Sequence, residues 1–309
     1  MADFAAAYLP DADRWCVALS GGPDSLALME AAARVLPTTA LVVDHGLQPG
    51  SRAVAESAAE QAITLGCVGA QVISVHVGMT GGPEAAARTA RYAALDAARA
   101  GAPVLIGHTL DDQAETVLLG LGRGSGPRSI AGIRPYDPPW CRPLLALRRS
   151  ETAAACAELG LTPWRDPHND DPRFTRVRLR TEVLPLLEEV LGGGVAEALA
   201  RTATALQADG DLLDGIAERT LADAGAAETG LPVTALAPLP EAVRLRVIRA
   251  WLRAGGAVRL TSKQILGVDA LVTAWRGQGG VAVGSELSGQ RLFAGRRHDV
   301  LTLYAEPIG

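Results

Sequence analysis

Up to Leu121, the chain alternates short apolar runs with longer stretches in which apolar residues recur at helical spacing. Four apolar runs predict strands: Arg14–Ser20, Ala40–Val43, Gln71–Val77 and Val104–Gly107. Each is followed by a stretch that predicts a helix: Ser25–Val35, Ser51–Leu65, Pro83–Ala100 and Leu110–Leu121. Strands that alternate with longer helices indicate βαβ units. The sequence therefore predicts an α/β fold with a doubly wound, mostly parallel sheet.

This alternation ends near residue 122. From 122 to 175 the chain is rich in Gly and Pro, which predicts loops, and after Arg176 it becomes helical. The three glycines at 192–194 mark a hinge or a helix end. We therefore expect two domains, at 1–195 and 196–309. The second is smaller and mainly helical, with a small strand-bearing end.

Composition places the chain among globular proteins. It has 309 residues, of which 48% are hydrophobic and 20% charged, with a formal charge of −5. The longest run without charge, 61–83, is interrupted by glycines and polar residues, so we expect no membrane-spanning helix. The N-terminus has no basic-then-apolar export signature, which favours a soluble, cytoplasmic protein.

The cysteines carry little chemistry. Cys16, Cys67, Cys141 and Cys156 are far apart, and no two have CxxC spacing. This spacing disfavours a disulfide framework or a zinc site. We expect four free, buried thiols.

The string Ser20-Gly21-Gly22-Pro23-Asp24-Ser25 directly follows the first predicted strand and opens a helix. Glycines in this position allow a tight turn that presents backbone N–H groups to an anion at the helix N-terminus. The alternative is an ordinary turn with Ser25 as N-cap. A Walker A loop is excluded because it requires a lysine, and the single lysine, Lys263, has no glycines around it.

SGGPDS resembles the SGGxDS motif of the N-type ATP pyrophosphatases. That superfamily cleaves ATP between the α and β phosphates and adenylates a carbonyl-type oxygen. The resemblance implies that Ser20, Gly21, Gly22, Pro23, Asp24 and Ser25 bind the pyrophosphate of ATP. It also implies that Asp24 positions Mg²⁺ against the phosphates.

Further strings narrow the resemblance to the tRNA(Ile)-lysidine synthase family. They are VDHGL (43–47), EAAAR (84–88) with Arg91-Tyr92, GHTLDDQAET (107–116), RGSG (123–126), RPLL (142–145), WRDP (164–167) with Asn169 and Asp171, FTR-x-R (174–178) and VLP (183–185). The resemblance covers about residues 14–190 and is weak beyond them. The resemblance implies that residues 1–195 form an N-type ATP pyrophosphatase catalytic domain and that residues 196–309 form a helical tRNA-binding domain.

The family joins free L-lysine to carbon 2 of the wobble cytidine of CAU-anticodon isoleucine tRNA. ATP adenylates the oxygen on carbon 2 and releases pyrophosphate, and lysine then displaces AMP. The lysidine that forms changes codon reading from AUG to AUA, and charging from methionine to isoleucine. The resemblance thus implies ATP and Mg²⁺ as cofactors, and tRNA and lysine as substrates. A homodimer is also possible.

Individual residues can be given roles in this scheme. Arg88 contacts the α-phosphate or the adenylated base, or else forms an ion pair with Glu84. His108 or Asp112 accepts the proton of the attacking amine. Asp112 and Glu115 share a helix face, and their carboxylates are suitable partners for the amino groups of lysine. For Asp111, a solvated position in the first turn of the helix is favoured. Asp44 and His45 shape the adenine pocket or have a structural role.

Three segments contain basic residues without an intervening acid, and are candidates for phosphate contacts with tRNA. Their members are Arg173, Arg176, Arg178 and Arg180; Arg244, Arg246, Arg249, Arg253, Arg259 and Lys263; and Arg291, Arg296 and Arg297. Arg176 and Arg178 are the predicted substrate contacts among them. Solvated helix faces are the alternative. Val177 stands where the family pattern leads us to expect Asn, so its side chain cannot make the polar contact that Asn would make.

Three other functions compete. A tRNA thiolase of the same superfamily would need cysteines that carry sulfur or a cluster, usually in CxxC. An ammonia-using amidating ligase usually pairs with a glutaminase, and the sequence contains none. A non-catalytic nucleotide sensor or tRNA-binding regulator could lose carboxylates that this chain retains.

Overall fold

The computed structural model describes residues 1–46, 48, 50–78, 82–124, 126–166, 169, 171–225, 230–286 and 288–308. Within 82–124, the side chains of Pro83 and Glu84 lie outside the description. Two compact units are present, one of Met1–Gly124 with Ser129–Thr204, and one of Ala205–Gly309 with Ser125–Arg128. The units divide within a long helix, Val195–Asp223, at whose start the predicted domain boundary lies.

The first unit combines short strands with helices. Its strands are β1 (Trp15–Leu19), β2 (Thr38–Asp44), β3 (Gly69–Ser74), β4 (Val104–Ile106), β5 (Tyr136–Asp137) and β6 (Trp140–Cys141). The helices up to residue 191 are α1 (Ala2–Tyr8), α2 (Pro23–Ala33), α3 (Ser51–Thr64), α4 (Pro83–Ala98), α5 (Leu110–Arg123), α6 (Pro127–Ile130), α7 (Arg149–Glu158), α8 (Thr175–Arg178), a π-helical segment (Leu179–Val183) and α9 (Leu184–Leu191). The predicted strands and helices before residue 122 match β1–β4 and α2–α5 to within a few residues.

The prediction of loops throughout 122–175 is wrong. This segment contains the β5–β6 hairpin and the ten-residue helix α7. The buried face of α7 consists of Thr152 and Cys156, which are too small and polar to give a helical pattern of large apolar residues. Its start is fixed by Glu151, whose carboxylate accepts a hydrogen bond from the Arg148 N–H at 2.6 Å.

The sheet of the first unit is doubly wound and mostly parallel, as predicted. Its strand order is β3-β2-β1-β4-β6-β5, and of the adjacent pairs only β5 and β6 are antiparallel. The chain moves outward from β1 through β2 to β3 and then returns to place β4 on the other side of β1. The topological switch point therefore lies between β1 and β4, where such sheets form their ligand crevice.

Both faces of the central strands are covered, which explains their continuous apolar sequences. Trp15, Val17 and Leu19 pack on one face with buried residues of α2, α3 and α7. Cys16 packs on the opposite face with a cluster that includes Leu95 of α4. The sheet is thus a fixed layer from which the strand-end loops project.

The second unit combines helices with an antiparallel sheet, as the predicted strand-bearing end requires. Its helices are the second part of α10 (Val195–Asp223), α11 (Val233–Leu236), α12 (Glu241–Ala254) and α13 (Ser262–Thr273). Its strands are β7 (Leu231–Pro232), β8 (Val281–Val283), β9 (Gln290–Arg297) and β10 (Val300–Pro307), in the order β7-β10-β9-β8. Ile248 and Leu252 of α12 are completely buried in its core.

Across the described residues, the helices include none with the length and apolar character that crossing a membrane requires.

We predict that two glycines of α5 differ in their tolerance of a methyl group. A Cβ on Gly120 would collide with the carbonyl oxygen of Ser129 and lie 2.6 Å from its carbonyl carbon, whereas Gly122 has open space. Gly120→Ala should lower the free energy of unfolding by about 1–3 kcal/mol or more. Gly122→Ala should leave it unchanged or raise it by up to about 1 kcal/mol, because alanine favours helix. Urea denaturation measures both; equal effects would contradict the packing of α5 on residue 129.

Candidate active site

Two loops meet at the switch point of the sheet. One carries Ser20–Ser25 from β1 into α2, and the other leads from β4 through Gly107 and His108 into α5. A Cβ on Gly107 would lie 3.1 Å from the carbonyl group of Asp24 and from the amide nitrogen of Ser25. A side chain at residue 107 would require these backbone atoms to shift by a few tenths of an ångström, so the backbones of the two loops are closely packed.

The SGGPDS loop is folded onto itself at the start of α2. Gly21 has a φ of 81°, a left-handed conformation that favours glycine, and its carbonyl accepts a hydrogen bond from the Trp164 N–H at 2.9 Å. The Ser25 hydroxyl donates to the Gly22 carbonyl at 3.0 Å and accepts from the Ser20 N–H at 3.2 Å. The N-cap of α2 is Gly22, so Ser25 is not a simple N-cap. First-turn N–H groups of α2 are left without intrahelical acceptors, which suits an anion.

Arg149 is the centre of the charged residues at this edge of the sheet. Its guanidinium lies 3.3 Å from the Asp24 carboxylate, 2.8 Å from that of Asp112 and 3.6 Å from that of Glu115. The backbone N–H of Arg149 donates to Asp111 at 2.7 Å. The structure thus brings together three carboxylates that the sequence singled out, through an arginine that it did not. Arg149 could not be singled out from the sequence, because no pattern there predicts helix α7, on which it lies.

Burial and Arg149 act in opposite directions on these carboxylates. Burial raises the pKa of Asp24, against the lowering effects of its hydrogen bond from Thr152 and of the Arg149 charge. Burial also acts to raise the pKa of Asp112, but Arg149, His108 and hydrogen bonds from Thr109 outweigh it, so that this pKa is lowered. A further cation near Asp24 would therefore stabilise its ionised form.

Glu115 is completely buried beneath arginines. Its carboxylate accepts a hydrogen bond from Arg180 Nε at 2.9 Å and lies 3.5 Å from Arg176 Nη1. Asp112, one turn earlier, keeps 16% of its side chain exposed. Of the two carboxylates predicted to bind lysine, only Asp112 therefore has exposed surface, whereas Glu115 fixes the arginines of α8 and the π-helical segment.

His108 is half-buried behind Asp112. Burial, together with the charges of Arg142, Arg88 and Arg176, lowers the pKa of His108 to about 4, against the raising effect of Asp112. Its Nδ1 is buried and has no hydrogen-bond partner in the described part of the chain. The imidazole is thus neutral at pH 7 and has a free nitrogen.

Asp44, His45 and Arg88 lie on the side of β2 and α4. The Asp44 carboxylate accepts from the Gly46 N–H at 3.0 Å, and its pKa is lowered chiefly by a hydrogen bond from Ser51. His45 accepts a hydrogen bond from Arg91 Nε at 3.2 Å. Asp44 therefore fixes the turn after β2. His45 is held by Arg91, for which the sequence predicts no role of its own.

Arg88 contacts an aromatic ring. Its guanidinium carbon lies 4.9 Å from the centre of the Tyr92 ring, and its Nη2 donates to the Tyr92 hydroxyl at 3.2 Å. The alternative partner of Arg88, the side chain of Glu84, lies outside the described residues.

The basic segment 173–180 is largely neutralised within the protein. Arg173 forms an ion pair with Asp171 at 2.6 Å, and Arg178 with Glu182 at 2.9 Å, both close to the surface. These two acids, Asp171 and Glu182, lie just outside the acid-free run. The run alone therefore does not reveal the ion pairs. Val177 is buried, so apolar packing occupies the position at which Asn was expected.

Part of the second basic segment is also paired. Arg244 lies 2.6 Å from Asp269, and Arg246 lies 3.0 Å from Asp214. In the third segment, Arg296 pairs with Asp299 at 2.8 Å. The acid-free runs are therefore not uniformly available to an external anion.

All four cysteines are buried, free thiols, as predicted. Burial raises the pKa of Cys67 to about 11 and that of Cys141 to about 12. These thiols are therefore protonated at neutral pH and are poor nucleophiles.

Within the part of the chain that the structure describes, no three His, Cys, Asp or Glu side chains are grouped to hold a metal ion. Mg²⁺ commonly binds to one or two carboxylates together with substrate phosphates, and Asp24 beside the SGGPDS loop fits that pattern.

Comparison with known proteins agrees with this geometry. A PP-loop domain family matches residues 2–187, and a family described as the TilS substrate binding domain matches residues 231–298. Among solved structures, the U34-tRNA thiolase of Methanococcus maripaludis shares the fold, with a TM-score of 0.51 and 18% identity over 63% of this chain and 73% of that one. The first unit therefore defines a PP-loop enzyme, a class that uses ATP.

Relatives over almost the full length identify the family. The tRNA(Ile)-lysidine synthase of Mycolicibacterium paratuberculosis is 73% identical over 99% of this chain and 95% of its own length. That of Nocardia farcinica is 64% identical over 93% of this chain and 90% of its own length. The chain belongs to the tRNA(Ile)-lysidine synthase family.

We predict that removing the Glu115 charge destabilises the protein strongly. Glu115→Gln leaves Arg176 and Arg180 without their buried anion, and should lower the free energy of unfolding by about 3 kcal/mol. Glu182→Gln makes the same chemical change in an exposed pair with Arg178 and should have little effect. Urea denaturation at pH 7 compares them, and similar midpoints would contradict the structural role of Glu115.

We predict a pH dependence of stability that comes from His108. Because its folded pKa is about 4 rather than 6.5, the unfolded chain binds a proton at pH values where the folded protein does not. Stability should therefore fall as the pH is lowered from 6.5 toward 4, by on the order of 2 kcal/mol. His108→Gln should show a smaller fall in denaturation experiments between pH 6.5 and 4.5. An unchanged slope would mean that His108 titrates normally.

Proposed function

We propose that this chain joins L-lysine to carbon 2 of the wobble cytidine of CAU-anticodon isoleucine tRNA, using ATP. The observation that carries the proposal is family membership over nearly the whole chain, in which both relatives named above are tRNA(Ile)-lysidine synthases. The site at the β1–β4 switch point supports it, because a phosphate-binding loop lies next to carboxylates and a neutral imidazole.

Adenylation is the first step. The oxygen on carbon 2 of the cytidine attacks the α-phosphorus of ATP, a P–O bond forms, and the bond to the β-phosphate breaks to release pyrophosphate. We assign the SGGPDS loop, Ser20–Ser25, to the pyrophosphate, because first-turn N–H groups of α2 lack intrahelical acceptors and suit an anion. Arg88 is assigned to the α-phosphate, where a guanidinium offsets the negative charge of the transition state.

Asp24 is the residue assigned to Mg²⁺. Its carboxylate is partly buried, and burial raises its pKa, so a bound cation would favour the ionised form. Bound Mg²⁺ would offset charge on the phosphates during adenylation. Arg149 supplies positive charge to the same carboxylate in the structure, at 3.3 Å.

Lysine transfer is the second step. The ε-amine attacks carbon 2, a C–N bond forms, the bond to the AMP oxygen breaks, and the amine loses a proton. We assign Asp112 to an amino group of lysine because its carboxylate remains partly exposed. Glu115 acts in lysine binding through the arginines that it holds, Arg176 and Arg180. His108, the stronger base of the pair His108–Asp112, is assigned to accept the proton.

Partners follow from the reaction. The substrate is tRNA, and Arg178 stays a candidate contact because it is exposed and its partner Glu182 is exposed as well. His45 is assigned to the adenine side of the loop, with Asp44 behind it. A homodimer and a cytoplasmic location remain predictions.

The thiolase alternative has less support. The fold is shared with a U34-tRNA thiolase, but the four thiols of this chain are buried and are far apart in the sequence. Their raised pKa values disfavour sulfur transfer.

The decisive experiment mixes purified protein with ATP, Mg²⁺, labelled lysine and a CAU-anticodon isoleucine tRNA transcript. Label should enter the tRNA, and AMP and pyrophosphate should be released in equal amounts. Absence of label, while a known lysidine synthase works under the same conditions, would overturn the proposal. Release of pyrophosphate without label would indicate a different nucleophile.

We predict that Asp24→Asn abolishes adenylation. Loss of the carboxylate removes the group assigned to Mg²⁺, which would offset negative charge on the phosphates in the transition state. The rate of tRNA-dependent pyrophosphate release should fall by about a hundredfold to a thousandfold. Asp96→Asn is the matched control, because Asp96 is exposed on α4 and pairs only with Arg99 among the described residues. Equal rates for the two variants would remove Asp24 from the mechanism.

A further inference from the structure

Some arginines of the second unit form no close ion pair within the described part of the chain. Arg244 and Arg246 are paired with Asp269 and Asp214. Among the described residues, no acidic side chain lies within ion-pair distance of Arg249, Arg253 or Arg259. The structure therefore separates the basic segment 244–263 into structural arginines and a set whose charge is uncompensated.

The three uncompensated arginines surround one pocket. It has a volume of about 290 Å³ and is lined by Arg249, Arg253, Ala257, Val258, Arg259 and Leu260. The pocket lies between the last turns of α12 and the loop that leads to α13. Three arginines and no acidic residue are among its described lining residues, which makes the pocket complementary to an anion.

Arg249 has a buried hydrogen-bond donor that the described residues do not satisfy. Its Nε is buried and has no hydrogen-bond partner among the described residues. Burial lowers the pKa of Arg249, and the charges of Arg128 and Arg253 lower it further, whereas Asp214 acts in the opposite direction. A buried N–H donor beside like charges is unfavourable unless water or a ligand satisfies it, and an anion would also offset the repulsion.

The loop of the pocket is held in place. Arg259 has a φ of 52°, a left-handed conformation that is uncommon for any residue but glycine. The N–H of Val258 donates to the Gly284 carbonyl at 2.8 Å, and Ala257 forms a bridge with Ser285. Backbone strain that is fixed by surrounding hydrogen bonds is typical of binding sites.

We propose that the pocket formed by Arg249, Arg253 and Arg259 binds a backbone phosphate of the tRNA substrate. The proposal rests on the proposed function, which supplies the polyanion. Guanidinium groups pair bidentately with phosphate oxygens, and such contacts provide much of the affinity for nucleic acids. Arg244 and Arg246, although they belong to the same run, stabilise the fold instead.

The test compares two double variants of the full chain. Arg253→Gln with Arg259→Gln removes two exposed arginines of the pocket. The matched control, Arg219→Gln with Arg276→Gln, removes two exposed arginines of the same unit that do not line it. Affinity for a labelled CAU-anticodon isoleucine tRNA transcript is measured by fluorescence anisotropy over a series of salt concentrations.

The pocket variant should bind tRNA about tenfold more weakly than the control. Its plot of log affinity against log salt should lose a slope of about one for each phosphate contact removed. Equal affinity and equal slope in the two variants would overturn the proposal. Lysidine formation by the unchanged chain tests the proposed function separately, because the binding ratio does not depend on catalysis.

Two further measurements distinguish RNA binding from unfolding and from the binding of a small anion. Because the pocket variant removes mutually repelling charges, its melting temperature without tRNA should equal or exceed that of the unchanged chain. A large decrease would attribute weak binding to unfolding and overturn the proposal. Inorganic phosphate serves as a probe of a free-anion site. If it raises the melting temperature of the unchanged chain but not of the pocket variant, and tRNA affinities are equal, the pocket binds a small anion and not RNA.

Discussion

Arg149 and the carboxylates around it are the interaction on which the candidate site depends. Asp24, Asp112 and Glu115 come from two helices that begin at different strands, and like charges this close would repel each other in a partly buried place. The guanidinium offsets this repulsion and ties α2, α5 and α7 together at the switch point. Any cation or amine that binds here must share these carboxylates with Arg149.

The sequence patterns predicted the elements that the sheet requires and the loops that leave it. Strands β1–β4 are covered on both faces, so their apolar runs are continuous, and carboxyl ends of parallel strands meet at one edge. SGGPDS and GHTLDD could therefore be placed together. Arg149 could not, because α7 buries only Thr152 and Cys156, and no large apolar residue marks its helical period. Its role depends on three side chains that are distant in sequence.

The arginines show a second limit of sequence reasoning. A run without acids suggests a basic surface, but Arg176 and Arg180 reach back to Glu115, and Arg244 reaches forward to Asp269. The ion-pair partners of these arginines are distant in the sequence, so inspection of the neighbouring residues does not identify them. Arg249, Arg253 and Arg259 form no close ion pair with any acid that the structure describes. A protein with a formal charge of −5 can therefore still present concentrated positive charge.

The burial of Glu115 also constrains the order in which parts of the first unit can fold during synthesis. During synthesis, its carboxylate emerges well before Arg149, Arg176 and Arg180, the cations that neutralise it. Closing α5 over an unpaired carboxylate is costly, so the nascent helix must keep this face in water until residue 180 has left the ribosome. The loops, α7 and α8 are thus required to complete folding of the parallel sheet domain, although most of its strands are synthesised much earlier.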